Sequence, residues 1–556
     1  MNTKTLLWSI MATPVLAGYH ASSFDPREAT ISSTHHSLYT GLTTCREVVS
    51  AFLSRIETLN NHTNAVLALN PHALATADAM DARLQANNAS GFGPLFCIPS
   101  LLKDNWDTAD MPTTGSSLSL NESQPSHDAA GTKALRDAGA VVIGKANLHE
   151  LALEGLTVSS LGGQTINPYD TSRTPGGSSG GTGAAVAASF AVWGTGTDTV
   201  NSLRSPASAN SLFSCRPTRG LISRRGVIPV SYTQDTIGPI ARCVDDVAAV
   251  LTVLAGIGYD EGDNATALVP AGSRKVDYTV GLDQGSLKGV RFGLVEGFFN
   301  RMNSSETTPV NEAMANMTAK LQDAGATIVP ITEGLYNSSR IGAELDTQRY
   351  EFRQELNAYL QRPSLSGPHP STLEELTARP PGDFLVIPSQ YEYVNTALVS
   401  STGNESWEGK PSYDTVQNGI QNLTLALAET FASNHLDALI YPEQQNLVVP
   451  IGSPSQSGRN GILAALTGSP VVTVPAGFSK ATKTAPDGVP IGMEILGRPW
   501  TEGQLLRIAK EIEGLGRVRK TPRWAKEVVE VKEYESVPEV TPDRGYIPEE
   551  YPLGTL

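Results

Sequence analysis

The chain has 556 residues, of which 40% are apolar and 17% charged, and its formal net charge is −15. This composition supplies a sizeable core and excludes a chain that is disordered throughout. The acidic balance disfavours a nucleic-acid partner, because phosphate backbones are bound by Lys and Arg. No apolar run reaches the roughly 18 residues that a membrane-spanning helix needs.

The N-terminus has the pattern of a secretory signal. Lys4 supplies the positive charge, residues 6–16 are mostly apolar, and small residues end at Ala17, which is the arrangement that signal peptidase cleaves. We therefore expect residues 1–17 to be removed and the mature protein to be extracellular. The alternative is that this stretch forms a first apolar helix of the fold.

Asn-x-Ser/Thr sequences support the same interpretation. In exported eukaryotic proteins such asparagines lie on the surface and carry glycans. Nine candidates are present: Asn61, Asn88, Asn121, Asn264, Asn303, Asn316, Asn337, Asn404 and Asn422.

Four cysteines bear on compartment and metal binding. Cys45, Cys97, Cys215 and Cys243 are even in number, and an extracellular compartment permits disulfides. Four cysteines allow three complete pairings, and free buried thiols are equally compatible with the sequence. The sequence has no Cys-x-x-Cys and no His-Glu-x-x-His, so we predict no metal site and no cofactor.

Hydrophobic periodicity predicts an α/β protein. Thr44 is a plausible helix cap, followed by apolar residues at helical spacing from Val48 to Leu59. Further helices are predicted at 72–86, 127–139, 311–324 and 502–514, and strands at 140–144, 290–295, 326–331, 436–441, 470–475 and 489–496. Helices that alternate with apolar strands indicate a sheet covered by helices.

Two segments depart from this alternation. Residues 335–420 are rich in polar residues and proline, and we expect an irregular, variable region that shapes a pocket. Residues 522–556 are charged and rich in proline, which predicts an extended arm on the surface. The main domain would then span residues 18–521.

The most unusual segment, residues 174–239, is dense in Gly, Ser and Thr but poor in charge, with a buried helix expected at 184–188. Gly-Gly-Ser-Ser-Gly at 176–180 matches the Gly-x-Ser-x-Gly nucleophile elbow. That interpretation is disfavoured because no strand precedes Ser178 and only His369 and His435 follow as bases. A phosphate-binding loop is weaker still, since no Gly-Lys-Ser/Thr follows.

A set of ordered motifs explains the segment better. They are Gly-Gly-Ser-Ser-Gly-Gly at 176–181, Gly-Thr-Asp-Thr at 196–199, Ser202, Arg204, Pro206, Arg-Pro-Thr at 216–218, Asp-Thr-Ile-Gly-Pro at 235–239 and, upstream, Leu102-Lys103-Asp104-Asn105. The chain resembles the amidase signature family from about residue 40 to residue 520. The resemblance implies a mixed sheet of about eleven strands covered by helices on both faces, in an exported eukaryotic, fungal member.

The resemblance also implies a set of catalytic residues. Ser202 would be the nucleophile, Ser178 the bridging serine in a cis peptide with Gly177, and Lys103 the base. A serine hydroxyl becomes nucleophilic when a base takes its proton, and lysine serves as that base when burial keeps its amine neutral. The backbone N–H groups of the nucleophile segment would bind the oxyanion, namely those of Thr199, Val200, Asn201 and Ser202.

One departure affects this segment. Many relatives have Gly-Gly or Asp-Gly before the nucleophile, where this chain has Val200-Asn201. Asn tolerates a positive φ and Val does not, so we expect Asn201 to take any left-handed position. Around the site, Ser179 is expected to order its loop, and Asp198 and Arg204 to form a structural ion pair.

The resulting hypothesis is an amidase that cleaves a small carboxylic amide through a Ser202 acyl-enzyme and releases ammonia or an amine. An esterase or acyl-transferring relative with the same residues is an alternative, and a catalytically inactive binding protein is another. We expect no nucleic-acid partner and no membrane span. The amide substrate and the oligomeric state are left open by the sequence.

Overall fold

The computed structural model describes residues 24–87, 91–380, 382–384, 387–403, 409–545 and 547. The predicted signal segment, residues 1–17, lies outside the described residues, as do Asn88 and Asn404. Within these described ranges, no helix combines the length and the apolar character needed to cross a membrane.

An eleven-stranded mixed sheet forms the centre of the described chain, in the order β1-β4-β2-β7-β9-β8-β14-β15-β13-β10-β11. The strands are Val66–Leu69 (β1), Ile98–Lys103 (β2), Gln124–Pro125 (β3), Ala140–Ala146 (β4), Val158–Ser159 (β5), Gly163–Gln164 (β6), Trp193–Asp198 (β7), Phe213–Arg216 (β8), Thr236–Ala241 (β9), Arg291–Val295 (β10), Thr327–Ile331 (β11), Leu365–Ser366 (β12), Ala438–Pro442 (β13), Val471–Phe478 (β14) and Pro490–Leu496 (β15). Parallel pairs lie towards the two ends of the sheet, and antiparallel pairs lie in its middle and at the β1 edge. The predicted mixed sheet of about eleven strands is confirmed.

Helices flank this sheet. In the described residues the α-helices are Ile31–Tyr39 (α1), Cys45–Leu59 (α2), Ala73–Asn87 (α3), Ala130–Asp137 (α4), Gly180–Ala187 (α5), Arg204–Ala209 (α6), Val244–Ala255 (α7), Thr308–Asp323 (α8), Ser338–Leu345 (α9), Gln348–Leu360 (α10), Leu373–Thr377 (α11), Pro388–Val399 (α12), Tyr413–Ser433 (α13), Ile462–Thr467 (α14) and Glu502–Gly514 (α15). The predicted helices and strands outside residues 335–420 are present, with ends that differ by a few residues.

Helix α2 illustrates why these sequences fold as they do. The Thr44 hydroxyl accepts a hydrogen bond from the Glu47 N–H, while the Glu47 carboxylate accepts one from the Thr44 N–H. This capping box satisfies two of the unpaired donors at a helix start. The apolar residues at helical spacing, including Val48, Phe52 and Ile56, are buried, so the predicted cap and helix are confirmed.

The expectation that residues 335–420 are irregular is wrong. Helices α9 to α12 and the start of α13 lie in this range. Three of these starts carry side-chain caps: Asn337, Thr372 and Ser412 each accept a hydrogen bond from a first-turn N–H. The high polar content therefore supplies caps and exposed helix faces, because each short helix buries only a narrow apolar stripe.

Residues 522–545 contain little regular structure beyond a short 3-10 helix at Trp524–Lys526. This segment lies along the N-terminal helices, and the buried guanidinium of Arg55 donates to the carbonyls of Ala525 (2.8 Å) and Glu527 (3.1 Å). The side chains of Val529 and Val531 pack against the main core.

Two of the four cysteines form a disulfide. Cys45, at the start of α2, is bonded to Cys97, just before β2. Cys215 and Cys243 are free thiols, and Cys215 is buried in the core. The bond links the first long helix to the strand that carries Lys103.

Candidate active site

Lys103 and Thr197 lie next to each other near the ends of the neighbouring strands β2 and β7. Lys103 is the last residue of β2 and is fully buried, with 0% of its surface exposed. Its Nζ lies 2.7 Å from the Ser178 Oγ and 2.7 Å from the Thr197 Oγ1. Since β2 runs parallel to β7, both side chains reach the same edge of the sheet.

The environment of Lys103 favours a neutral amine. Burial lowers the pKa of Lys103 from 10.5 to about 7, against the smaller opposing effect of the carboxylates of Asp198 and Asp235. A buried ammonium is penalised because water no longer solvates it. Near neutral pH a large fraction of the amine is therefore able to accept a proton.

The loop that carries Ser178 is held on both sides. The Gly177–Ser178 peptide bond is cis, as the resemblance implies. The Thr157 hydroxyl donates to the Gly176 carbonyl (2.7 Å) and accepts from the Gly180 N–H (3.2 Å). The Ser178 carbonyl accepts from the His149 N–H (3.0 Å), so the direction of the serine side chain is set by its backbone.

Small residues allow α5 to start directly behind this loop. All eight residues of the helix are buried. A Cβ at Gly181 would lie 2.2 Å from the carbonyl oxygen of Asn147, closer than any real Cβ contact. The glycine density noticed in the sequence is thus required by close backbone approach.

Ser202 lies between β7 and α6 and lines a cavity of about 420 Å³. It is 7% exposed. Within the described residues, the Ser202 hydroxyl forms no hydrogen bond to Ser178. The Ser178 Oγ accepts a hydrogen bond from the Lys103 Nζ. The structure therefore joins Lys103 to Ser178 directly and places Ser202 at the cavity wall.

The backbone N–H groups of residues 199–202 have no hydrogen-bond partner among the residues that the structure describes. Unpaired donors at a cavity wall are suited to bind a developing negative charge. No left-handed position occurs at these two residues, since neither Asn201 nor Val200 has a positive φ. Asn201 instead uses its side chain, whose Nδ2 donates to the Glu443 Oε1 at 2.8 Å.

An ionic network lies beneath this segment. Arg204 contacts Asp198 (Nε–Oδ2 3.0 Å) and Glu494 (Nη1–Oε2 2.8 Å), while Arg216 contacts Asp198 (Nη1–Oδ1 2.6 Å), and all four side chains are fully buried. Burial alone would raise the pKa of Asp198, but the two guanidinium groups hold it well below its usual value. The structural ion pair predicted for Asp198 and Arg204 is present.

Asp198 also fixes the chain after Ser202. Its carboxylate accepts from the Leu203 N–H at 3.0 Å. Ser179, at the start of α5, donates from its hydroxyl to the Thr197 carbonyl at 3.3 Å. Both side chains therefore hydrogen-bond to backbone and do not line the cavity.

The cavity walls come from α9 and from the loop at 455–459, besides Thr199, Val200 and Ser202. Arg459 and Glu154 form an ion pair across it (Nη1–Oε1 3.0 Å). Asp346, just after α9, also lines the cavity, and its carboxylate accepts hydrogen bonds from Gln348. The walls are thus polar and carry both signs of charge.

Sequence reasoning missed several residues of this site. Thr197 lies inside the Gly-Thr-Asp-Thr motif at 196–199, so its place opposite Lys103 could have been found there. Thr157 lies outside the motifs, and Glu443 and Glu494 carry no local signal because they reach the site from distant parts of the chain.

Comparison with solved structures identifies the class of protein. The structure is similar to the native peptide amidase from Stenotrophomonas maltophilia, with a TM-score of 0.74 and 32% identity, over 89% of this chain and 98% of that one. It is also similar to an amidase family protein from Bacillus anthracis, with a TM-score of 0.73 and 28% identity, over 89% of this chain and 92% of that one. The fold is that of enzymes that hydrolyse carbon–nitrogen bonds in amides.

The chain belongs to the amidase family, whose model matches residues 47–506. It is 31% identical over 513 residues to a probable amidase of Arabidopsis thaliana, covering 91% of this chain and 93% of that protein. It is also 31% identical over 517 residues to a glutamyl-tRNA(Gln) amidotransferase subunit from Synechococcus sp. (strain CC9605), covering 89% of this chain and 98% of that protein. We therefore describe it as an amidase-family hydrolase.

Proposed function

We propose that this amidase cleaves its substrate through a Ser202 acyl-enzyme, with Lys103 as base and Ser178 as the proton relay. The observation that carries the proposal is the 2.7 Å contact between the buried Lys103 Nζ and the Ser178 Oγ. Ser202 lies at the wall of the adjoining cavity. In substrate-free enzymes catalytic hydrogen bonds are often long and tighten when substrate binds, which accounts for the open Ser178–Ser202 contact.

The proton steps follow from this order. Neutral Lys103 takes the Ser178 proton as Ser178 takes the proton of Ser202, whose Oγ then attacks the amide carbonyl carbon. The carbonyl π electrons move to oxygen, and the resulting oxyanion is bound by the backbone N–H groups of residues 199–202. When the C–N bond breaks, the leaving nitrogen receives the proton from the ammonium through Ser178.

Water completes the reaction by the same route. A water molecule gives its proton to Ser178 and Lys103 as its oxygen attacks the ester carbon of the acylated Ser202. Collapse of the second oxyanion breaks the ester bond, and the relay returns a proton to the Ser202 Oγ. The products are a carboxylic acid and ammonia or an amine, and the enzyme regains its starting protonation state.

The direct test is Ser202→Ala, assayed on purified protein with a panel of primary amides, aryl amides and peptide C-terminal amides. We expect turnover to fall by at least about 1,000-fold. Ser214→Ala is the matched control, because the Ser214 hydroxyl is buried without a hydrogen-bond partner among the described residues. Turnover of Ser202→Ala equal to that of Ser214→Ala would overturn the proposal.

The same panel separates the alternatives left open by the sequence. Esters added to it test for an esterase, and added hydroxylamine tests for acyl transfer to an amine. A fluorophosphonate that labels the wild type but not Ser202→Ala supports a working nucleophile. A folded wild type that is neither labelled nor active on any amide or ester would support a binding protein.

We further propose that the protein is exported and glycosylated. All seven candidate asparagines within the described residues are exposed on the surface: Asn61, Asn121, Asn264, Asn303, Asn316, Asn337 and Asn422. The Cys45–Cys97 disulfide is typical of an oxidising compartment. Mass spectrometry of protein secreted by a fungal host should find an N-terminus near residue 18 and a mass loss after peptide-N-glycosidase treatment. Retention inside the cell with an unchanged mass would contradict this.

A further inference from the structure

The residue before the nucleophile has an unusual role in this chain. The backbone of Asn201 does not take a positive φ. Its side chain is 1% exposed, and the Nδ2 donates to the Glu443 Oε1 at 2.8 Å. Its carbonyl accepts from the N–H groups of Arg204 (2.9 Å) and Ser205 (2.7 Å), at the start of α6. Asn201 is therefore tied through both its backbone and its side chain.

Glu443, which accepts the hydrogen bond from the Asn201 side chain, is itself held in place. It follows β13 directly and is 1% exposed. Its N–H donates to the Gly492 carbonyl in β15 (3.1 Å), and its own carbonyl accepts from the Asn460 N–H (3.1 Å). Because its backbone is hydrogen-bonded to the central sheet and to a neighbouring loop, the carboxyl group of Glu443 has little freedom to move.

Gly461 packs closely against the segment that contains Val200 and Asn201. A Cβ at this glycine would lie 2.4 Å from the Val200 carbonyl oxygen and 2.6 Å from the Asn201 Cβ. The Arg204 Nη2 donates to the carbonyls of both Val200 and Gly461. Val200 and Asn201 are therefore held by Glu443, by the close approach of Gly461 and by the Arg204 guanidinium.

We propose that the Asn201–Glu443 hydrogen bond orients the backbone N–H groups that bind the oxyanion, so that Glu443 is a positioning residue for amide hydrolysis. This inference rests on the proposed function. The peptide planes on either side of the Asn201 Cα carry the N–H groups of residues 201 and 202, and a tie on its side chain limits their rotation. Misplacement of such a group by about 1 Å costs on the order of 100-fold in rate.

The experiment measures kcat and KM separately for Glu443→Ala, Glu443→Gln and Asn201→Ala. We expect both alanine variants to lower kcat about 10- to 100-fold with KM changed less than about threefold, because the donors act mainly on the transition state. Glu443→Gln should recover most of kcat, since the amide oxygen still accepts from Asn201. The double variant Asn201→Ala/Glu443→Ala should be no slower than either single one.

Glu502→Ala is the control for loss of a buried carboxylate, because Glu502 accepts from the Thr218 N–H (2.7 Å), away from the nucleophile segment. It should keep the kcat of the wild type in its folded fraction. Wild-type kcat in folded Glu443→Ala, or additive losses in the double variant, would overturn this inference alone. If Glu443→Ala does not fold, the kcat of Asn201→Ala is compared with that of Glu443→Gln, and Asn201→Ala should be the slower variant. Full turnover by Ser202→Ala would instead overturn the proposed function and this inference with it.

Discussion

Replacing Lys103 by methionine should abolish turnover and, at the same time, change how stability depends on pH. Burial lowers the pKa of Lys103 from 10.5 to about 7. The charged amine is therefore less stable in the folded protein than in water by about 5 kcal/mol. Methionine has similar length and no charge, so it removes that cost. It also removes the hydrogen bonds to Ser178 and Thr197, but that loss is the same at every pH.

The sign follows from proton binding. Below pH 7 the lysine is protonated in both states, and the folded protein bears the full cost. Between pH 7 and 10.5 the unfolded chain binds more protons, so this group makes the free energy of unfolding rise by about 1.4 kcal/mol per pH unit. Above pH 10.5 the cost is absent. The advantage of Lys103→Met over the wild type should therefore shrink by about 2 kcal/mol between pH 7 and pH 9.

Urea denaturation of both proteins at pH 7, 8 and 9, followed by tryptophan fluorescence, measures this difference. Lys133→Met is the control, since Lys133 is exposed and pairs with Asp137 on the surface of α4. Its stability relative to the wild type should stay constant across the same range. If Lys103→Met and the wild type change in parallel with pH, Lys103 is not a neutral buried amine, and the reasoning for it as a base fails.

Three further outcomes are expected. The kcat/KM for amide hydrolysis should rise with pH through about 7, since the base must be neutral; a flat profile from pH 5 to 9 would contradict this. Arg55→Ala leaves the carbonyls of Ala525 and Glu527 without their donor, so limited proteolysis should cut residues 522–545 faster than in the wild type, and equal rates would argue against this anchoring. Cys45→Ser should lower the free energy of unfolding by about 2–4 kcal/mol, because it removes the Cys45–Cys97 disulfide. The difference from the wild type should vanish in reducing agent. A difference that survives reduction would show that packing, and not the disulfide, causes it.

Six strands of the central sheet (β4, β10, β11, β13, β14 and β15) could be predicted because they are apolar runs next to helices. The segments at 290–295 and 489–496 illustrate this, since each coincides closely with a strand. Strand β7 could not be predicted, because glycine and polar residues alternate in its sequence WGTGTD. The helices of residues 335–420 could not be predicted in the same way. Their polar residues act as caps and exposed faces, and sequence alone does not distinguish these roles from those of an irregular loop.

The candidate site was predictable where its residues lie within short motifs. Lys103, Ser178 and Thr197 belong to such motifs, and the structure brings all three together. The surroundings were not predictable, because Glu443, just after β13, and Glu494, in β15, lie more than 200 residues along the chain from the residues they contact. The cavity walls formed by α9 and residues 455–459 could not be predicted from the sequence either. The chemical class of the substrate was therefore not predictable.

The reach of Arg55 across the chain has a consequence for synthesis. Its buried guanidinium donates to the carbonyls of residues 188 and 189 and also to those of residues 525 and 527, which lie about 470 positions later than Arg55. A ribosome releases the N-terminal helices long before those carbonyls exist. Two of the four carbonyl partners of Arg55 therefore become available only when translation is nearly finished, which makes docking of the last segment a closing step in maturation.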